Sequence, residues 1–310
     1  GARLLWGIAW SLINVGGYTM ILDRSSRADR GRMTGFYQMF YLLGLTLSPL
    51  VGGALTDALG FQVAVFACAG LSALGLAVAA VALPETRPEC AVAAPAHTIA
   101  GPRLTLGRLL SLRHADRRVI LAASLYFVIF FVSSGVLMST IGLYLGQRWA
   151  DGLAVGQLTV GVASMAGAML ALRSLLGIAA GPAGGSLSDR LHSRWPVVSL
   201  GLVLGLLGFV LLSLSGGALS VVGGVALVAL GGGALIAALA AVVGDLAAGS
   251  QQGMIMGALA TAGDTGSAAG PLLAYALAVT MDLAWVYMLC AGLLVLGLLG
   301  TWWVGREKRA

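Results

Sequence analysis

The chain has 310 residues, of which 59% are hydrophobic and 46 are glycine, while only 10% are charged; a soluble domain carries about 25% charged residues. With a mean hydropathy of +0.95, it can neither cover a water-facing surface with charge nor stay disordered, which needs low hydrophobicity. The formal net charge of +6 would suit a nucleic-acid binder, but the basic residues gather in loops between apolar runs, as in membrane proteins, so no nucleic-acid partner is expected.

A helix needs about 20 apolar residues to cross the hydrocarbon core. In chain order, nine runs qualify: 2–22, 33–56, 61–83, 119–146, 155–181, 196–215, 218–244, 253–280 and 283–305. The 50 uncharged residues between Arg194 and Asp245 (245 − 194 − 1) make two crossings, with a turn over Ser213–Gly217. The expected fold is therefore all-α, a polytopic membrane protein with nine transmembrane helices. A β-barrel is excluded, because its strands alternate and run only about ten residues.

The loops alternate in charge. Segments 23–32, 84–118, 188–195, 245–252 and 306–310 fall on one side and hold 15 of the 18 basic residues; Arg148 stands alone on the other, and Arg3 and Arg173 lie inside helices (15 + 1 + 2 = 18). That bias makes the first side cytoplasmic, with the linker and C-terminus inside a cell membrane. Three cysteines are too few for a disulfide framework.

The chain repeats itself. Shifted by 222 residues, Asp23 falls on Asp245, Gly31 on Gly253, Gly44 on Gly266, Pro49-Leu50 on Pro271-Leu272 and Cys68-Ala-Gly-Leu71 on Cys290-Ala-Gly-Leu293. Over positions 23 to 76, 15 of 54 are identical, against ~6 by chance. Residues 1–83 then correspond to the last three helices of a six-helix half, 84–118 to a cytoplasmic linker, and 119–310 to a complete six-helix half. On this reading about 100 residues with three further helices precede residue 1, giving twelve in all.

Three motifs stand out. Gly185-Ser-Leu-Ser-Asp189-Arg190-Leu-His-Ser-Arg194 joins two apolar runs. Its acid can sit at a helix N-terminus and its arginines can pair with acids, here Asp23 and Asp29, with Arg30 beside them. Gly35-x8-Gly44-x3-Ser48-Pro49-x2-Gly52-Gly53 recurs as Gly257-x8-Gly266-x3-Gly270-Pro271. Small residues so spaced let helices pack backbone to backbone, and proline permits a bend. The third is Arg3-Leu-Leu-Trp-Gly7. Together these resemble the major facilitator superfamily, in particular its drug/proton antiporters. The first is similar to a family loop with G-x-L-x-D-R-x-G-R-R, from which His192 and Ser193 depart. The second is similar to a motif associated with exporters, from which Ser48 and Ala274-Tyr275 depart. The third is similar to a motif whose arginine assists proton coupling. The resemblance implies two halves rocking about a central cavity and a cytoplasmic latch formed by the first motif. It implies a monomer when full length.

Ionisable groups inside a membrane are functional candidates by default. Asp264 sits about eleven residues into its run, roughly 17 Å deep, and its repeat partner is Leu42, so the repeat does not require the charge. It is the expected proton carrier; a hydrogen-bonded structural acid is the alternative. Arg173 and Arg3 are the other intramembrane charges. Trp6, Trp10, Asn14 and Tyr18 recur every four residues on one face, and Tyr126 and Phe130 head an aromatic patch. Both sets are substrate-cavity candidates. Tyr144, Trp149, Trp195, Trp285, Trp302 and Trp303 read as interface anchors.

The expected function is secondary active transport by alternating access: proton-coupled efflux of small amphipathic molecules. The alternative is a sugar or metabolite importer on the same fold. The partners are then a small-molecule substrate, protons and the lipid bilayer. The three histidines lie in loops and no H-E-x-x-H or G-x-x-x-x-G-K-[ST] sequence is present, so an enzyme, an ATP motor, a cofactor and a metal are not expected.

Overall fold

The computed structural model describes residues 2–24, 29–83, 117–155, 158–191, 193–214, 217–246 and 252–306. The linker, as far as residue 116, and His192 lie outside the described residues.

A backbone in hydrocarbon must satisfy its own N–H and C=O groups, and helices do so within each segment. The apolar runs accordingly become α1 (Ala2–Arg24), α2 (Arg30–Leu59), α3 (Phe61–Ala82), α4 (Arg117–Ile129), a π-helical segment (Phe130–Leu137), α5 (Met138–Arg148), α6 (Val162–Arg190), α7 (Trp195–Ser213), α8 (Ala218–Leu246), α9 (Gln252–Ala278) and α10 (Leu283–Arg306). The stretch from Arg117 to Arg148 is one 32-residue span. Among the described residues, 7 helices are long and apolar enough to cross a membrane. α1 and α9 occupy the other two expected runs.

The expected run 155–181 is corrected at both ends. Leu153–Val155 and Leu158–Val160 form a small antiparallel pair, β1 and β2, with Ala154 opposite Thr159. Short alternating runs suit a strand as well as a helix. Gly152, at φ +87°, supplies the left-handed backbone that leads into β1. The helix starts at Val162 and continues to Arg190.

The contacts divide the chain into two units, Gly1–Leu45 with Gln62–Leu110, and Thr46–Phe61 with Ser111–Ala310. In the first, Trp10 and Tyr41 approach with ring centroids 5.7 Å apart, and Ala64 is the one buried apolar side chain among its described residues. The second holds a continuous core that includes Leu125, Ile129, Leu202, Phe209, Leu235, Tyr287 and Leu294.

Glycine seams set the helix spacing in the second unit. A methyl group on Gly208 of α7 would lie 2.6 Å from the Gly224 carbonyl oxygen of α8, and one on Gly184 of α6 would lie 2.7 Å from Ala234 Cα of α8. Without a strong hydrophobic force between helices in lipid, such close backbone contact is the main source of association. Tyr144 is corrected from interface anchor to core. It is 1% exposed, its hydroxyl donates to the Leu212 carbonyl, and its ring lies 5.0 Å from that of Tyr287. A buried tyrosine needs a hydroxyl partner, and α7 supplies it. Trp285, Trp302 and Trp303 are exposed near helix ends.

Candidate functional site

The π-helical segment Phe130-Phe-Val-Ser-Ser-Gly-Val-Leu137 interrupts the span between α4 and α5. The Met138 N–H bonds the Ser133 carbonyl five residues back, as π geometry requires. Single-turn π segments inside α-helices are frequent at functional sites. The hydroxyls of Ser139 and Thr140 bond the carbonyls of Gly135 and Val136, so the irregular turn is satisfied by side chains from the turn below.

α9 closes one face of this segment. Gly266 lies against the backbone at Phe127 and Phe131, Gly270 lies against Gly135, and a methyl group at Gly135 would come within 2.7 Å of Gly270 Cα. Gly263 lies beneath Tyr126 and Phe130, whose rings pair at 4.8 Å. Tyr275, just past Pro271, donates to the Ser139 carbonyl at 2.6 Å. The expected packing motif in α9 is thus divided. Gly266 and Gly270 hold the contact, whereas a methyl group on Gly257 would meet no atom within 4 Å.

The motif in α2 divides in the same way. A methyl group on Gly35, Gly44 or Gly52 would meet nothing within 4 Å, but one on Gly53 would collide with the Ala163 carbonyl of α6. One turn earlier, Pro49 presents its carbonyl to Gly167 of α6. One turn later, the Asp57 carboxylate accepts the N–H groups of Ala163 at 3.2 Å and Ser164 at 2.7 Å. Gly161, the N-cap of α6, has no side chain to cap its own helix, and a methyl group there would meet the Asp57 carboxylate. Asp57 therefore supplies from α2 the N-terminal cap that α6 lacks.

Arg173 comes from the middle of α6. Its Nε donates to Ser133 Oγ at 3.3 Å, and its Nη2 donates to Ser133 Oγ and Ser134 Oγ, both at 3.0 Å. Asp264 lies on an exposed face of α9 with Thr261 and Thr265. It makes no hydrogen bond or ion pair among the described residues and lies within electrostatic reach of the Tyr126 hydroxyl.

Arg194, the N-cap of α7, pairs with Asp189 near the end of α6 and, through Nε, with Asp245 Oδ2 of α8 at 3.2 Å. It also donates to Ser188 Oγ at 2.8 Å. Its hydrogen bonds to the Asp189 and then the Asp245 carboxylate hold the guanidinium above its ordinary pKa. Arg190 is exposed. Gly185 meets nothing within 4 Å, and the neighbouring Gly184 makes the close helix contact instead. The side chains of Arg3, Trp6, Asn14, Tyr18, Asp23 and Arg30 lie outside the described residues; Trp10 is 40% exposed.

Sequence reasoning passed over Ser133, Ser134, Asp57, Gly263 and Asp245 as site residues. Ser-Ser-Gly in the middle of an apolar run was the available signal for the first two. For Asp245 the signal was its place opposite Asp23 in the 222-residue repeat. Asp57 had none, because its partners are 106 and 107 positions away.

These features define a polytopic helical membrane protein with polar groups and helix irregularities grouped inside the bundle. The model for the Major Facilitator Superfamily matches residues 1–173 and 161–310, and the chain belongs to that superfamily. It is a secondary transporter, a carrier of small molecules rather than an enzyme. No curated protein matches the chain.

Proposed function

We propose that the protein exports small amphipathic molecules in exchange for protons, across a cell membrane with its C-terminus and linker in the cytoplasm. Residues 1–83 and 119–310 belong to the two halves that move about the substrate, and the protein acts as a monomer. The observation that supports export is the doubled glycine–proline motif. Its Pro49–Gly53 part lies against α6, and its Gly266–Gly270 part lies against the π segment. Asp264 supports the coupling. A carboxylate inside a membrane, with no ion pair among the described residues, is placed to gain and lose a proton as solvent access alternates.

The test uses proteoliposomes with an imposed pH gradient and a fluorescent amphipathic probe. Transport should follow the gradient and collapse with an uncoupler. Asp264→Asn should abolish gradient-driven accumulation yet keep downhill exchange. If Asp264→Asn retains full proton dependence, Asp264 is not the carrier. Uptake of a radiolabelled sugar or metabolite, with no export of the probe, would instead favour the importer.

A further inference from the structure

A cation held among helices inside a bilayer ordinarily has a counter-charge. Arg173 stands eleven residues into α6 (173 − 162), roughly 17 Å along its axis. Its partners are two neutral hydroxyls, Ser133 and Ser134. A guanidinium has five N–H donors. The observed bonds use the Nε and Nη2 edges, so the two Nη1–H donors have no partner among the described residues. Each serine oxygen already accepts from Arg173, and neither serine hydroxyl donates to another group among the described residues. The cluster therefore presents mostly donors, carries one positive charge, and meets no carboxylate among the described residues.

The cluster is not sealed inside the core. Arg173 and Ser134 are only half-buried. Gly232 of α8 faces Ser133; a methyl group there would make ordinary van der Waals contact, 3.9 Å from Ser133 Oγ and 3.8 Å from the Ile129 methyl. The neighbouring side chains Ile129 and Val132 are apolar and belong to the buried core.

We propose that Arg173, Ser133 and Ser134 bind the carboxylate of the transported molecule, which is an amphipathic organic monoanion. The inference rests on the transporter reading and narrows its substrate class. A planar guanidinium matches a carboxylate in two parallel hydrogen bonds, which an ammonium cannot. One unbalanced positive charge suits a monoanion, and the complex is neutral where charge is costly.

The experiment follows thermal unfolding of the purified, detergent-solubilised full-length protein. The probes are alkyl and aryl carboxylates with their matched amides and amines. A carboxylate should raise the unfolding temperature, and its amide and amine should not. Arg173→Gln should weaken carboxylate binding at least about a hundredfold, Arg173→Lys less, and Ser133→Ala about tenfold, as expected for hydrogen bonds to a charged group. If no carboxylate stabilises the unsubstituted protein more than its amide, or if an amine stabilises it more, the subsite is wrong, whether or not the variants fold. Proteoliposome flux separates the two readings. Gradient-driven transport of an amine that survives Arg173→Gln removes the subsite and keeps the transporter. Arg173-dependent carboxylate binding without flux keeps the subsite and removes the transport reading.

Discussion

At the scale of single residues, Asp57 makes the sharpest demand. The first N–H groups of a helix have no partner within it, and α6 begins at a glycine that can offer none. The Asp57 carboxylate bonds two of them and places negative charge at the positive end of the helix. Asp57→Ala is expected to cost about 1 kcal/mol, with the range for lost caps about 0.5–2. Asp57→Asn should keep much of this, since an amide oxygen still accepts a bond, and should lose the charge–dipole share of about 0.3–1 kcal/mol. Chemical unfolding in detergent measures both; equal losses for the two variants would show that charge, not bond count, carries the cap. Gly161→Ala should cost about as much as Asp57→Ala, because a methyl group there meets the carboxylate and pushes it out of the cap. A residue pair of this kind was not legible in the sequence. The sequence marks a charge as costly, as it did for Arg173 and Asp264, because cost depends on local hydropathy. It does not mark the partner, because Asp57 and Ser164, or Arg173 and Ser133, meet only after folding.

At the scale of elements, the spans were legible because hydrophobic length is a strong signal and bilayer thickness fixes it. Element ends and irregular turns were less so. Leu153–Val160 is apolar in either conformation, and periodicity over so few residues does not choose. The π segment has no propensity pattern of its own; its causes are the glycines of α9 and the hydroxyls that hold its carbonyls. The same division appears inside the packing motif, whose spacing pointed to helix contact but not to which glycines make it. Gly270 faces the Gly135 backbone, which cannot yield as a flexible side chain would, whereas Gly257 faces open space. Gly270→Val is expected to destabilise by at least about 1–3 kcal/mol, the usual cost of overpacking. Gly257→Val should stay within about 0.5 kcal/mol, as for a position without contacts. Unfolding temperatures of the two variants, measured side by side, decide the matter. Equal losses would mean that the glycines act through backbone conformation rather than size.

At the scale of the whole molecule, alternating access asks which parts move and which stay rigid. The glycine seams join α6, α7 and α8 at backbone distance, and α10 packs on the same core through Tyr287 and Leu294. Arg194 adds ties from the end of α6 to the end of α8. Close-packed interiors shift between discrete arrangements and resist gradual deformation, so this bundle should travel as one body. Ser199 of α7 and Thr301 of α10 test that directly. Their hydroxyl oxygens are 3.4 Å apart, and the probe is a disulfide between Ser199→Cys and Thr301→Cys once Cys68, Cys90 and Cys290 are replaced. The cross-link lies inside the body and away from Arg173 and Asp264, so the oxidised protein should transport within about twofold of the reduced one and unfold at a higher temperature, the disulfide adding about 2–4 kcal/mol. Transport that stops on oxidation and returns with a reductant would show that α7 and α10 must slide past each other during the cycle. The moving unit would then be smaller than the bundle, and rigid-body rocking of residues 119–310 would be wrong.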